Sequence, residues 1–207
     1  MKVTNRRRQW GCARPGARGI CVRPAKTVPP KSLGAIVRSY RLFNEDGANE
    51  EHRFFASLTP ELAIKFAGNA RDHRDKRYAH QRRIKKKTLE KFGQQLWAQR
   101  EAIEACLSFE ALLGLIRANT DNLYGAGKLL AYDTALRLGA HFGHRPTNVY
   151  LHAGAKTGAI NLGYPRNRDF LELDELPPEF QNLLPEQVED ILCIYKEDLK
   201  AFWAVRA

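Results

Sequence analysis

Paired cysteines, a long apolar run and any early acidic residue are missing from this 207-residue chain, and each absence removes a class of protein. Cys12, Cys21, Cys106 and Cys193 form no Cys-x-x-Cys pair and the six histidines show no zinc spacing, so neither a structural metal nor a disulfide framework is expected. No apolar stretch reaches the length of a membrane span and no secretory signal opens the chain, which predicts a soluble, cytoplasmic protein. There is no fixed-period repeat, hence no solenoid. Gly125-Ala126-Gly127 lacks the third glycine of a dinucleotide loop, there is no P-loop, and no cofactor is expected.

The missing acids locate the charge. The first 44 residues hold 11 Lys and Arg and no Asp or Glu, so the other 163 carry 23 of each sign and the net charge of +11 belongs to the N-terminus. Lys65 to Lys91 gathers 11 basic residues against Asp72, Asp75 and Glu90, whereas Asp169 to Asp198 sets 10 acids against Lys196. Such polarity orients a polyanion and disfavours a membrane surface. Residues 1–31, with Arg6-Arg7-Arg8, four prolines and three glycines, hold too little apolar surface to order themselves. They read as a disordered basic arm, either a salt-sensitive phosphate tether or a dispensable extension or transit segment.

Residues 32–207 read as one all-α, multi-helix globular domain of about seven helices, with no strand pattern to support a sheet. Ser32 caps a helix carrying Leu33, Ile36, Val37 and Tyr40, and Asn44-Glu45-Asp46-Gly47 predicts a flexible loop. Phe54 and Phe55 are core anchors. Thr59-Pro60 opens a helix that stops at Gly68. One long helix is expected from Lys85 to about Cys106, carrying Leu89, Phe92, Leu96, Ile103 and Leu107, and Ser108 caps the next. Thr147 or Asn148 opens a helix in which Gly154 and Gly158 share a face and predict a close helix approach. Pro185 opens a last helix whose apolar face includes Val188, Ile191, Leu192, Tyr195, Leu199 and Phe202. Glu186, Glu189, Asp190, Glu197 and Asp198 are assigned to its outer face. Cys106 and Cys193 fall on apolar faces, as inert thiols.

Two stretches carry the chemistry. From Gly68 to Ile84 the chain is too polar for a core element and reads as a long, exposed, basic segment. In it Tyr78, His80, Gln81, Arg82 and Arg83 together offer an aromatic stacking face, amide groups to read a base edge and guanidinium groups to grip phosphate bidentately. Lys85, Lys86 and Lys87 follow at a helix start, where a cation costs about 0.3–1 kcal/mol at low salt, a placement that makes sense beside a bound anion. Leu123 to Gly139 places Gly125 and Gly127 between two helical patterns, with Lys128 opening the second. Both glycines can take positive φ, and the unpaired N–H groups of a helix start favour phosphate.

That order of hydrophobe, Gly125, Ala126, Gly127 and Lys128 resembles the helix-hairpin-helix motif of non-specific DNA binding, although a bare connector between packed helices would have the same glycines. Val149 to His152 stands where a Val-Asp-Thr-His segment follows the hairpin in the helix-hairpin-helix DNA glycosylases, so the resemblance spans about residues 108–163. It implies DNA binding through Gly125, Ala126, Gly127 and Lys128, and not the family's catalysis. Tyr150 occupies the place of the essential aspartate, Leu129 that of the Schiff-base lysine, and no four-cysteine cluster ends the chain. Stretches such as KRYAHQRRI and YDTALRLGA also resemble uncharacterised bacterial proteins, which implies no activity.

The reading is therefore a DNA-binding protein of weak sequence specificity, nucleoid-associated within the cytoplasm. One alternative is a DNA-processing enzyme, a diverged glycosylase, lyase or nuclease, with its catalytic groups among Asp133, Tyr150, His152 and Lys156 beside Tyr132. Another is a protein-interaction module that binds an acidic partner through its basic arm. A concave pocket holding Asp133, His152 and Lys156 would favour the enzyme, and a flat basic face the binding protein.

Overall fold

A computed structural model describes residues 30–205. All but the last two residues of the basic arm lie outside the described residues, as do Cys12 and Cys21. The local helix signals act as expected. Ser32 Oγ accepts from Ala35 N–H at 3.1 Å at the start of α1 (Leu33–Tyr40), and Thr59 Oγ1 caps α3 (Pro60–Gly68) with Pro60 in its first turn. Ser108 Oγ caps α6 (Phe109–Asp121) through Ala111 N–H at 3.1 Å. Each uses a side chain three residues from its donor, so sequence alone specifies it.

The loop expected at Asn44–Gly47 is absent. A π-helical turn, Arg41–Glu45, joins α1 to α2 (Asp46–Ala56) without a break. Tyr40 donates its hydroxyl to Asp190 and Glu45 accepts from Gln187, so the helix Pro185–Ile194 holds in helical form residues whose own preference is for a turn. Phe55 is fully buried on α2. The single long helix expected from Lys85 breaks at Gln99 into α4 (Lys86–Ala98) and α5 (Arg100–Glu104), and Leu107 is 92% exposed rather than internal.

At the centre lies α7 (Lys128–Phe142), ten of whose fifteen residues are buried, so helices must cover it on most sides. It packs on α2, α3 and α6 around a first core that includes Phe55, Ile64, Phe92, Phe109 and Tyr132. A second core unites α1, α8 (Ala153–Asn161), α9 (Pro178–Gln181), α10 (Pro185–Ile194) and α11 (Lys196–Leu199). Gly158 sets the approach of α8 to α10: a Cβ there would lie 2.0 Å from the Leu192 carbonyl oxygen.

The helix expected from Thr147 or Asn148 begins instead at Ala153. Val149–Tyr150 (β1) pairs antiparallel with Phe170–Leu171 (β2), Val149 opposite Leu171, so a two-stranded ribbon joins the helical fold. The last helix is interrupted at Tyr195, and eleven α-helical segments stand where about seven were expected among the described residues. Glu186, Glu189 and Asp190 are 7%, 3% and 4% exposed, so the face assigned to solvent is largely covered. Helical spacing places residues on one face, and only packing decides whether that face stays wet. Among the described residues no helix is long and apolar enough to cross a membrane.

Candidate functional site

The segment Gly68–Ile84 is not an exposed strap. Arg71 and Arg77 form an antiparallel bridge, Asp72 Oδ1 accepts the N–H groups of Arg74 and Lys76, and Tyr78 N–H returns to the Ala70 carbonyl at 3.0 Å. The loop turns Tyr78, His80 and Gln81 inward and leaves His73, Arg74, Asp75 and Lys76 exposed. Tyr78 and Gln81 are each 2% exposed and the His80 side chain 10%, which corrects their assignment to a base-stacking, base-reading face. Their partners lie on α7. Asp133 Oδ2 takes hydrogen bonds from His80 Nε2 at 2.6 Å and Gln81 Nε2 at 2.8 Å. Gln81 Oε1 accepts in turn from Arg137 Nη1 at 3.2 Å.

Arg137 is the buried cation of this network. Its guanidinium lies 3.7 Å from the Tyr78 ring centroid and donates from Nε to Glu51 at 3.1 Å. Burial acts to lower its pKa, and Tyr78, Glu51 and Asp133 outweigh that and raise it. Burial, then the Glu51 carboxylate, raise the Tyr78 phenol well above its ordinary value. A buried charge is tolerable where it is paired and hydrogen-bonded, and this network meets that condition. Beside it, between α2, α7 and α10, lies a cavity of about 50 Å³ lined by Glu51, His52, Asp133, Arg137, Arg145 and Glu186 among others. Neither His152 nor Lys156 lines it, so the four catalytic candidates do not share this cavity.

Past Gln81 the segment returns to the surface as a run of cations. Arg82, Arg83, Lys85, Lys86 and Lys87 are exposed where the chain enters α4, whose N-cap residue Lys85 provides no side-chain cap. The Gly125 turn lies beside them. Ala126 N–H donates to the Leu123 carbonyl at 3.0 Å and Gly125 has φ +84°, as the third residue of a type II turn requires. Gly127 has φ −131° and is the N-cap of α7, which corrects the expectation that both glycines would be left-handed. No side chain caps α7, so the N–H groups of its first turn lack helical partners. A Cβ at Gly125 or Gly127 would meet nothing within 4 Å, Tyr124 is 93% exposed, and Lys128 is exposed. Thr88 Oγ1 approaches the Tyr124 carbonyl at 3.5 Å, which places the start of α4 against the hairpin.

Behind the hairpin stands an aromatic cluster. The His152 ring lies 4.5 Å from Tyr132 and stacks on Tyr150 at 6.4 Å with 5° between planes, while Phe109 packs on both tyrosines. Arg117 sits 5.6 Å over the Tyr150 ring. His152 is 6% exposed and its Nε2 has no hydrogen-bond partner. Burial is the main cause that lowers its pKa to about 4, so the imidazole is neutral at physiological pH. Tyr150 is raised, by burial first and by Glu110 second. His152 and Lys156, four residues apart, flank the first turn of α8, but Lys156 Nζ turns to Asp169 at 3.6 Å.

The sequence marked Tyr150, His152 and Asp133 but not the partners that define their surroundings. Glu51, Arg117 and Asp169 carry no local signal, since each acts across a long sequence separation, whereas Arg137 stands four residues from Asp133 on α7 and pairs with it at 3.9 Å, a spacing the sequence displays. Tyr124 was legible as the hydrophobe of the hairpin. Among the described residues no three His, Cys, Asp or Glu side chains gather as a metal site. Comparison with protein families, curated proteins and solved structures finds no match for this chain.

Proposed function

We propose that the chain binds nucleic acid, DNA above all, through non-specific phosphate contacts from the hairpin Tyr124–Lys128 and the cations Arg82, Arg83, Lys85, Lys86 and Lys87. The observation that carries this reading is the contact between Thr88 Oγ1 and the Tyr124 carbonyl, which unites two helix starts without side-chain caps and the exposed cations into one surface. Unpaired N–H groups and lysines supply what a phosphodiester requires, and the exposed Tyr124 ring adds a stacking face. The type II turn at Gly125 supports the helix-hairpin-helix likeness. With Tyr78, His80 and Gln81 turned inward, base-edge readers are few and specificity is weak.

The test is a salt titration of binding to single-stranded, duplex and abasic DNA. Affinity should fall linearly on a log–log plot for each form, and Arg82→Ala with Arg83→Ala should flatten the slope by about one to two units whatever the sequence. No binding at low salt, or binding only to an acidic protein, would remove the proposal.

A second reading follows from His152, a buried neutral imidazole with an unpartnered Nε2 beside two tyrosines near the hairpin. Such a group can accept a proton. Cleavage of one of the three DNA forms, abolished by His152→Gln with binding retained, would establish an enzyme, and unchanged DNA would exclude it.

A further inference from the structure

Lys128 and Lys156 stand on different helices and converge on one oxygen. Their Nζ atoms lie 3.8 and 3.6 Å from Asp169 Oδ1. Lys128 opens α7 next to the hairpin, Lys156 lies in α8, and the β-ribbon presents the aspartate: Leu151 N–H donates to the Asp169 carbonyl at 2.8 Å, and the next residue, Phe170, pairs with Tyr150. Register therefore holds the Asp169 backbone where its carboxylate reaches both ammonium groups.

Stability does not account for this arrangement. Asp169 and Lys128 are 68% and 73% exposed at the side chain, and exposed ion pairs of this length contribute little. The carboxylate also lowers the positive potential at the edge of the proposed phosphate-binding surface. Two further observations mark the place as more than scattered surface charge. Half-exposed Phe170 packs against Tyr150, which continues the ring cluster to solvent, and below it His152 Nε2 is buried without a partner.

We propose that Asp169 is a tethered stand-in for a backbone phosphate. In the free protein its carboxylate keeps Lys128 and Lys156 gathered, and on binding a phosphodiester of the nucleic-acid backbone takes both lysines while the carboxylate turns to solvent. The lysines are thus ordered in advance, at the expense of part of the attraction for non-specific polyanions. The ligand is the diester of a chain running on from the hairpin, 28 residues from Lys156 in sequence yet joined to it through one carboxylate. This site rests on the nucleic-acid reading above.

The experiment compares wild type with Asp169→Asn and, as a charge-matched control, Glu179→Gln on α9, which packs on α1. Binding of a fluorescent duplex is measured over a range of KCl, after melting curves confirm that each variant is folded. Asp169→Asn should bind roughly three- to tenfold more tightly near 0.1 M salt with a slope steeper by about one unit, and Glu179→Gln should stay within about twofold of wild type. Adding Lys128→Ala and Lys156→Ala to Asp169→Asn should remove the gain. Equal affinity of Asp169→Asn and Glu179→Gln overturns the site while leaving the interface standing. Absence of binding by both wild type and Asp169→Asn at low salt overturns the two together. Inorganic phosphate serves as a separate arm: saturable binding of it that blocks the duplex would overturn assignment to the backbone diester.

Discussion

His80 and Asp133, 53 residues apart in sequence, share a 2.6 Å hydrogen bond at the heart of the molecule. With the Asp133 carboxylate as acceptor, Nε2 of the imidazole is the donor in that bond. The same carboxylate oxygen accepts Gln81 at 2.8 Å, so one side chain of α7 fastens the basic segment to the core. The segment is thereby divided: Tyr78, His80 and Gln81 turn to the protein, while His73 to Lys76 before them and Arg82 and Arg83 after them face outward.

Asp133 is accordingly a structural anchor in its first role. Asp133→Ala leaves His80 and Gln81 without their acceptor and removes a carboxylate from beside the buried Arg137, which should cost about 3 kcal/mol. Urea unfolding measures this, with Asp133→Asn, which keeps an acceptor oxygen, expected to lose less. A variant as stable as wild type would show that the network is decorative.

Two glycine changes should have opposite signs. Gly158→Ala forces a methyl group to 2.0 Å from the Leu192 carbonyl oxygen and should destabilise by several kcal/mol, because backbone at the α8–α10 contact must move. Gly114→Ala, on the exposed side of α6 with nothing within 4 Å, should stabilise by about 0.5–1 kcal/mol. Chemical denaturation of the pair tests whether close approach, and not helix propensity, explains Gly158.

The hairpin glycines separate strain from binding. Gly125 has φ +84°, so Gly125→Val should lose about 1–3 kcal/mol to backbone strain. At Gly127, with φ −131° and open space beside it, Gly127→Val should fold with near-normal stability. If the first-turn N–H groups of α7 meet phosphate, that folded variant should still bind DNA more weakly than Lys128→Ala does. Wild-type affinity in folded Gly127→Val would reduce the hairpin to a connector.

Acid should weaken the fold through His152. Its pKa is held near 4 in the folded protein against 6.5 when exposed, so the unfolded chain binds the extra proton. The contribution is complete above about pH 6.5 and is lost as pH falls toward 4, in total on the order of 3 kcal/mol. Asp133 and Asp169 oppose the shift, while Arg117 and Lys128 reinforce it. Melting temperatures between pH 7 and 4.5 should fall less steeply for His152→Gln than for wild type, and parallel curves would refute the assignment.

Ser32, Thr59 and Ser108 could be placed as caps from sequence alone, and the turn at Leu123–Gly127 could be placed from its glycines, because each acts on backbone within a few residues of itself. Leu89, Phe92 and Leu96 likewise declared their inward face by spacing, and all three are buried. The polar residues were legible in type but not in destination. Tyr78, His80 and Gln81 had the composition of a nucleic-acid face, and Glu186 and Asp190 that of a wet helix surface, yet all were drawn inside by partners far along the chain: Asp133 for His80 and Gln81, Arg145 for Glu186, Tyr40 for Asp190. Likewise Val149–Tyr150 became a strand because Phe170–Leu171 lies beside it. Sequence determined the helix starts that carry their own cap, the inward face of Leu89, Phe92 and Leu96, and where cations are concentrated, since those follow from short-range sterics and spacing; the start of α8 at Ala153 and the joining of α1 to α2 did not. Tertiary structure alone decided which charges reach solvent, because burying a polar group depends on a hydrogen-bonding partner that only the folded chain can bring to it.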